Sequence, residues 1–307
     1  MVIDVLGHVV RPRGRVLVHE HLQFGWPGAE LDFAVAPAPP ITPEVIAMTE
    51  LYEAGFSCLV DATPMECQRD LGRLRDIAAR CAIQIVGATG LYHARSGYPA
   101  HFAGLDVSQL AETYVRDLHG DNQSGVSAGV IKVATGKPPF AQREVRALMA
   151  AARASLETGA PIVSHAESLT AAWEQQRIFS AEGLPTHRAV LGHLDAEWPN
   201  PEEVAKLAET GSYIGIDRCG IEAFAPHERR IALIAALRDQ GALSRVLLSH
   251  DAILRFIGRG ARTGPNPFLT IHQRIVPMLE AVGFSAEQLD QLLRLNPERF
   301  LGIAPAA

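Results

Sequence analysis

Several things are scarce in this chain of 307 residues. No apolar run approaches the about 18–20 residues of a transmembrane helix, so no membrane span is expected. Positive charge is not in excess. The 28 Lys and Arg stand against 34 Asp and Glu, a net charge of −6 at pH 7, which disfavours a general nucleic-acid or anionic-membrane partner. The start, Met1-Val2-Ile3-Asp4, carries an early acid and no basic stretch. It does not read as a signal peptide, and the expectation is a cytoplasmic protein. The four cysteines, Cys58, Cys67, Cys81 and Cys219, form no C-x-x-C pair and read as small reduced core residues. No repeat of 20–50 residues is present. Ala36–Pro40 and Gly120–Gly125 read as loops, not linkers, so residues 1–307 are expected to form a single domain.

Two motifs match by letter only. Gly125-Val126-Ser127-Ala128-Gly129 fits G-x-S-x-G, but a strand is expected after it where the nucleophile elbow needs a helix. Gly258-Arg259-Gly260 has no helix opening from it and is no dinucleotide fingerprint.

What is present is a regular alternation. Hydrophobic residues make up 48% and charged residues 20%, enough apolar surface for a large core. Short apolar runs predict strands at Val16–Val18, Cys58–Val60, Ile83–Ala88, Gly129–Val133, Pro161–Ser164, Ala189–Leu191, Ser212–Ile216 and Arg245–Leu248. They are nearly continuously apolar, as strands buried on both faces are. Helical patterns lie between them. Thr42 reads as an N-cap before Pro43. Glu144–Glu157 reads as a helix closed by Gly159, Pro201–Thr210 as one closed by Gly211, and Ser285 as the N-cap of the last. Eight strands with helical crossovers imply a parallel α/β sheet, and eight is the number that closes a (β/α)8 TIM barrel.

The chemistry falls at the strand ends. In order these carry His19 and His21, Asp61, Thr89, Lys132, His165, His193, Asp217 with Arg218, and His250 with Asp251. In a barrel the C-terminal strand ends converge on the face where active sites are built. Residues i and i+2 of a strand share a face, so His19 and His21 make half a metal site. Each residue alone has a structural alternative: a hydrogen-bonded core histidine for His165 or His193, a helix cap for Asp217 or Asp251. Their gathering at one end favours a metal centre. Lys132, inside Val130-Ile131-Lys132-Val133-Ala134, either snorkels to the mouth or is carbamylated. A carbamate can bridge two cations about 3.5–4 Å apart.

Taken in order, His19-Glu20-His21, Ile131-Lys132-Val133-Ala134, Ser164-His165-Ala166, Leu191-Gly192-His193-Leu194-Asp195, Gly215-Ile216-Asp217-Arg218, Leu248-Ser249-His250-Asp251 and the tail Asn296-Pro297-Glu298-Arg299-Phe300 resemble the phosphotriesterase-like family of the amidohydrolase superfamily. The resemblance spans essentially the whole chain. It implies a hydrolase with two divalent metal ions, commonly zinc. One ion would take His19, His21 and Asp251, and the more exposed one His165 and His193, with carboxylated Lys132 and a hydroxide bridging them. Asp251 would also shuttle the proton to the leaving group. The resemblance further implies a homodimer acting on a small-molecule ester or lactone.

Asp217-Arg218-Cys219-Gly220 looks like the lactonase branch, in which an Asp-Arg pair followed by an aromatic is common; Cys219 stands in the aromatic's place. Tyr92 matches a lactonase tyrosine able to hydrogen-bond the hydroxide, or is a rim aromatic packing a loop. Arg218 is a catalytic candidate, or pairs with a carboxylate. Arg255, Arg259 and Arg262 follow the last strand, where they could grip an anionic substrate group or belong to a solvated loop. The expected activity is lactone hydrolysis with promiscuous phosphotriesterase activity. The alternatives are a phosphotriesterase or carboxylic esterase, and further off a non-catalytic zinc-binding protein.

Overall fold

The computed structural model describes residues 1–32, 40–196, 199–259 and 264–302. Among these residues nine strands form one parallel sheet: β1 (Arg15–Phe24), β2 (Phe56–Asp61), β3 (Gln84–Leu91), β4 (Val130–Thr135), β5 (Ile162–Ala166), β6 (Ala189–Gly192), β7 (Tyr213–Ile216), β8 (Val246–Leu248) and β9 (Ile253–Phe256). The order is β8-β7-β6-β5-β4-β3-β2-β1-β9. Between the strands run α1 (Thr42–Glu53), α2 (Leu71–Ala78), α3 (Ala100–Ala103), α4 (Val107–Leu118), α5 (Gln142–Thr158), α6 (Leu169–Ala181), α7 (Pro201–Glu209) and α8 (His227–Asp239). Short helical turns cover much of 267–300. Among the described residues no helix is long and apolar enough to cross a membrane.

The sheet curls until the residues after β8 lie against β1. The amides of Val18 and His19 both donate to Ser249 Oγ, and the amide of Asp251 donates to His19 O at 3.1 Å. Two apolar layers arise from the two-residue period of the strands. Val16, Val18, Cys58, Val60, Val86, Ala88, Val130 and Val163 belong to one core cluster, inside the curl. Leu17, Leu59, Ile85, Ile131 and Ile162 belong to the other, against the helices. The inner column then decides which side chains point into the mouth. Lys132 is two residues beyond Val130, and His165 two beyond Val163.

Two sequence expectations need correction. The first strand does not stop at Val18 but runs on to Phe24, so His19 and His21 lie within it. A ninth strand, β9, lies in what reads as the loop after strand 8. It is four half-buried residues paired with the extension of β1, through His21↔Ile253, Gln23↔Arg255 and Phe24↔Phe256. So short a segment is a strand only because β1 offers it an edge. At the helix ends, Ser285 caps through a reciprocal bond with Gln288, and Gly159 closes α5 at φ 79°. Thr42 is itself helical and caps nothing. Strand β4 comes directly after the G-x-S-x-G run, so no nucleophile elbow forms there. All four cysteines are free; Cys81 is half-buried and the others buried.

Candidate metal centre

The pair His19 and His21 points into the curl because of an irregularity. With Val16 and Val18 facing inward, an unbroken strand would turn Glu20 inward and both histidines out. The β1–β2 register shifts between Leu17 and Glu20. A bulge reverses the phase of the residues beyond it, so His19 and His21 face the mouth while Leu22 joins the outer core. Ser249 accepts both amides at this point, at 2.8 and 3.0 Å.

Asp217, just past β7, sets two of the imidazoles. Its Oδ2 accepts from His19 Nδ1 and its Oδ1 from His193 Nδ1, each at 2.8 Å. The amide of His193 donates to Oδ1 as well, at 2.7 Å. Room for this carboxylate comes from Gly192 and Gly215, where an added Cβ would lie 2.7 and 2.8 Å from Asp217 Oδ2. With Nδ1 of each ring committed to an anion, Nε2 carries the lone pair and is free to ligate. His21 is fixed likewise, its Nδ1 2.8 Å from Thr63 Oγ1. Burial lowers the pKa of His19 and His165 and takes His193 down to about 4, favouring the neutral rings that metal ligation requires. Burial alone would raise Asp217, but the His193 and His19 rings outweigh it and hold the carboxylate ionised.

The free nitrogens converge on Asp251. Its Oδ1 is 3.3 Å from His21 Nε2 and 3.6 Å from His19 Nε2; its Oδ2 is 3.8 Å from His193 Nε2 and accepts from Arg218 Nε at 3.2 Å. Both His193, at φ 66°, and Asp251, at φ 51°, hold left-handed backbones, local strain of the kind that collects at functional sites. Lys132, fully buried, places Nζ 2.7 Å from His19 Nε2. Burial lowers its pKa to about 8. The rings of His165 and His193 are 4.3 Å apart, and Nε2 of each is buried without a hydrogen-bond partner among the described residues.

These residues fit a divalent metal centre. His19, His21 and Asp251 each offer a ligand atom within 4.8 Å of the others, and so do His19, His193 and Asp217. In the second group the Nδ1–carboxylate hydrogen bonds already account for the closeness. The unpartnered Nε2 of His193 is what a second ion would satisfy.

Residues 4–301 match the model of the phosphotriesterase family. The chain belongs to that family. It is 33% identical over 269 residues to the phosphotriesterase homology protein of Mycobacterium tuberculosis, covering 83% of this chain and 82% of that one. It is 26% identical over 306 residues to an aryldialkylphosphatase of Saccharolobus solfataricus, covering 94% of each. In structure it resembles a mutant of a PTE-like lactonase of Deinococcus radiodurans, with TM-score 0.91 and 29% identity, covering 98% of this chain and 100% of that one. It is thus a hydrolase of the phosphotriesterase family, with His and Asp clusters suited to metal.

Around the centre the other candidates separate. Tyr92 Oη lies 3.3 Å from His165 Nδ1, and burial raises its pKa, keeping the phenol protonated. Its ring also packs on Phe24, Trp26 and His93, so rim packing and a hydroxyl at the centre coexist. Arg218 pairs with Asp251 while its guanidinium lies 4.1 Å from the Phe224 ring centroid. A cavity of about 460 Å³ opens beside Asp251, lined by Ile221, Ile253, Leu254, Phe256 and Arg259 among others. Arg259 stacks on Phe256 at 4.4 Å. Arg255 turns elsewhere: it donates to Gln23 Oε1 at 2.8 Å, in the field of Arg73, Glu44 and Asp70. Arg262 lies outside the described residues.

Sequence reasoning missed the supports. Asp217 was legible as a polar strand end but not as the partner of two imidazoles. Glu20 accepts from His250 N, His250 Nδ1 and Ala252 N at 2.8, 2.7 and 3.2 Å, bracketing Asp251. His250 Nε2 in turn accepts from the amide of Ile271 at 3.0 Å, so that ring is fully committed and is not a free ligand. The only signal for Glu20 was an acid between two histidines in an apolar run.

Proposed function

We propose that this chain is a binuclear metal-dependent lactonase, a single domain over 1–307 on a closed (β/α)8 barrel. The metals are proposed as zinc, held by His19, His21, His165, His193 and Asp251, with Lys132 carboxylated between them. The observation that carries the reading is the convergence of imidazole Nε2 atoms on Asp251, itself clamped by Arg218. Two cations there would polarise the substrate's carbonyl and acidify a water.

The chain's own groups supply the rest. Lys132 Nζ stands 2.7 Å from His19 Nε2. An ammonium there would repel a cation sharing that ligand, whereas a carbamate would attract it. Carbamate formation needs the neutral amine, which burial favours. As water attacks the carbonyl carbon, Asp251 takes the released proton. It returns that proton to the ring oxygen as the carbon–oxygen bond breaks. A lactone's leaving group is an alkoxide, far more basic than the phenolate of an aryl triester, so it has more need of such a proton carrier. Arg218 Nε, on Asp251 Oδ2, fixes the carboxylate for that transfer. Tyr92, held protonated, donates toward the oxygen that gains charge. Arg259, at the cavity rim, is proposed to contact an anionic group of the substrate.

Phosphotriester hydrolysis as the main activity is the second reading, favoured by the likeness to an aryldialkylphosphatase. Initial rates on acyl-homoserine lactones, γ- and δ-lactones, phosphorylated sugar lactones and an aryl phosphotriester separate the two, with Asp251→Asn as control. A lactone preference abolished by the substitution is expected. Turnover of the triester alone would overturn the lactonase reading.

A further inference from the structure

A second group of side chains able to ligate a metal stands at the mouth, meeting the first only at His165. His93 follows β3, His165 lies in β5, and Glu167 comes directly after it. One ligand atom of each lies within 4.8 Å of the other two. Nε2 of His93 is 3.9 Å from Oε1 of Glu167, too far for a hydrogen bond.

The protonation of His93 can be read from its neighbours. Ser96 Oγ donates its one proton to His93 O at 2.8 Å. The same oxygen lies 3.4 Å from His93 Nδ1 and can only accept there. In the neutral ring Nδ1 then carries the proton, and Nε2 turns a lone pair toward the carboxylate. In that form two acceptors face each other, an arrangement that a cation, or a second proton on the ring, relieves. Arg95 pairs with the other carboxylate oxygen, Oε2, leaving Oε1 for His93. His165 is buried, and its Nε2 has no hydrogen-bond partner among the described residues. An independent feature thus accompanies the cluster: a buried, unsatisfied nitrogen on one of its three members.

We infer that His93, Glu167 and His165 form a further divalent-cation site at the mouth. Two imidazoles and a carboxylate suit zinc or a similar borderline cation, and three protein ligands leave a coordination position open. An ion there stands beside Tyr92, whose ring centroid is 4.2 Å from that of His93. The site shares the His165 ring with the proposed binuclear centre, which would take its other nitrogen, Nδ1, beside Tyr92 Oη, and to that extent rests on the binuclear proposal; His93 and Glu167 belong to it alone.

The test is metal binding, not turnover. The full chain, His93→Ala, Glu167→Gln and His19→Ala are dialysed to equilibrium against Zn²⁺ and their bound metal measured. A parallel set with Co²⁺ is followed by visible absorption, which reports the ligand set. His93→Ala and Glu167→Gln should each bind one equivalent fewer than the unsubstituted chain and lose the same absorption component. Glu167→Gln retains a side chain of the same size, so it carries the test if His93→Ala does not fold. Equal metal content and equal spectra in the unsubstituted chain and these two variants would overturn the inference. His19→Ala with undiminished metal would instead contradict the inner centre and leave the mouth site standing, so the two readings fail separately.

Discussion

Lys132 Nζ lies 2.7 Å from His19 Nε2, deep in the mouth of the curled sheet. Because Asp217 engages His19 Nδ1, the lysine meets a lone pair and not a proton. Burial depresses the lysine from an ordinary 10.5 to about 8. Between those two values the unfolded chain binds a proton that the folded metal-free chain does not, so stability rises with pH across that window. The metal-free chain should gain on the order of 3 kcal/mol from pH about 8 to about 10.5. Lys132→Met should lack this rise. Denaturant titrations of both metal-free proteins at several pH values check it; parallel profiles would show that the lysine is not the source.

Asp217 holds the Nδ1 atoms of His19 and His193, so Asp217→Asn should release metal more readily. The amide nitrogen would face the Nδ1–H of either His19 or His193 and force one ring out of place. Loss of such a support typically costs 10–100-fold in metal affinity. Competition with a chelator measures it. Unchanged affinity would mean that the imidazoles are held by other means.

Glu20 is fully buried and satisfies three donors around His250 and Ala252. Glu20→Gln would set an amide donor against at least one of them. A loss of roughly 2–4 kcal/mol of folding stability is expected, with kcat reduced because the turn carrying Asp251 loosens. Equilibrium unfolding and steady-state kinetics report both. A variant as stable as the parent would contradict the role assigned to this carboxylate.

Arg255 and Arg259 should behave differently although both follow the histidine–aspartate pair closely. Arg255 is tied to Gln23, so Arg255→Met should lower stability and leave KM little changed. Arg259 lines the cavity beside Asp251, so Arg259→Met should raise KM for an anionic lactone several-fold and spare a neutral one. Equal effects on both substrates would remove Arg259 from substrate recognition.

The eight apolar runs and the polar residue ending each were legible because strands buried on both faces must be apolar until they emerge at the mouth. Lys132 and His165 follow the inner valines by two residues, and so could be placed by alternation alone. The inward turn of His19 and His21 could not be derived that way. It depends on a bulge in β1 supported by Ser249, some 230 residues away. Asp217 is 198 residues from one imidazole it holds and 24 from the other, and nothing local in Gly215-Ile216-Asp217 specifies either. Strand β9 was unreadable because Ile253–Phe256 is half-buried and extended only where β1 pairs with it.

The most direct test of the metal-dependent hydrolase is the rate of lactone opening by the chain stripped of metal with a chelator, then refilled by titration with Zn²⁺ in the presence of bicarbonate. Activity should vanish on stripping and return as the centre fills, while Asp251→Asn stays inactive throughout. A metal-free chain that opens the lactone at the undiminished rate would contradict the account.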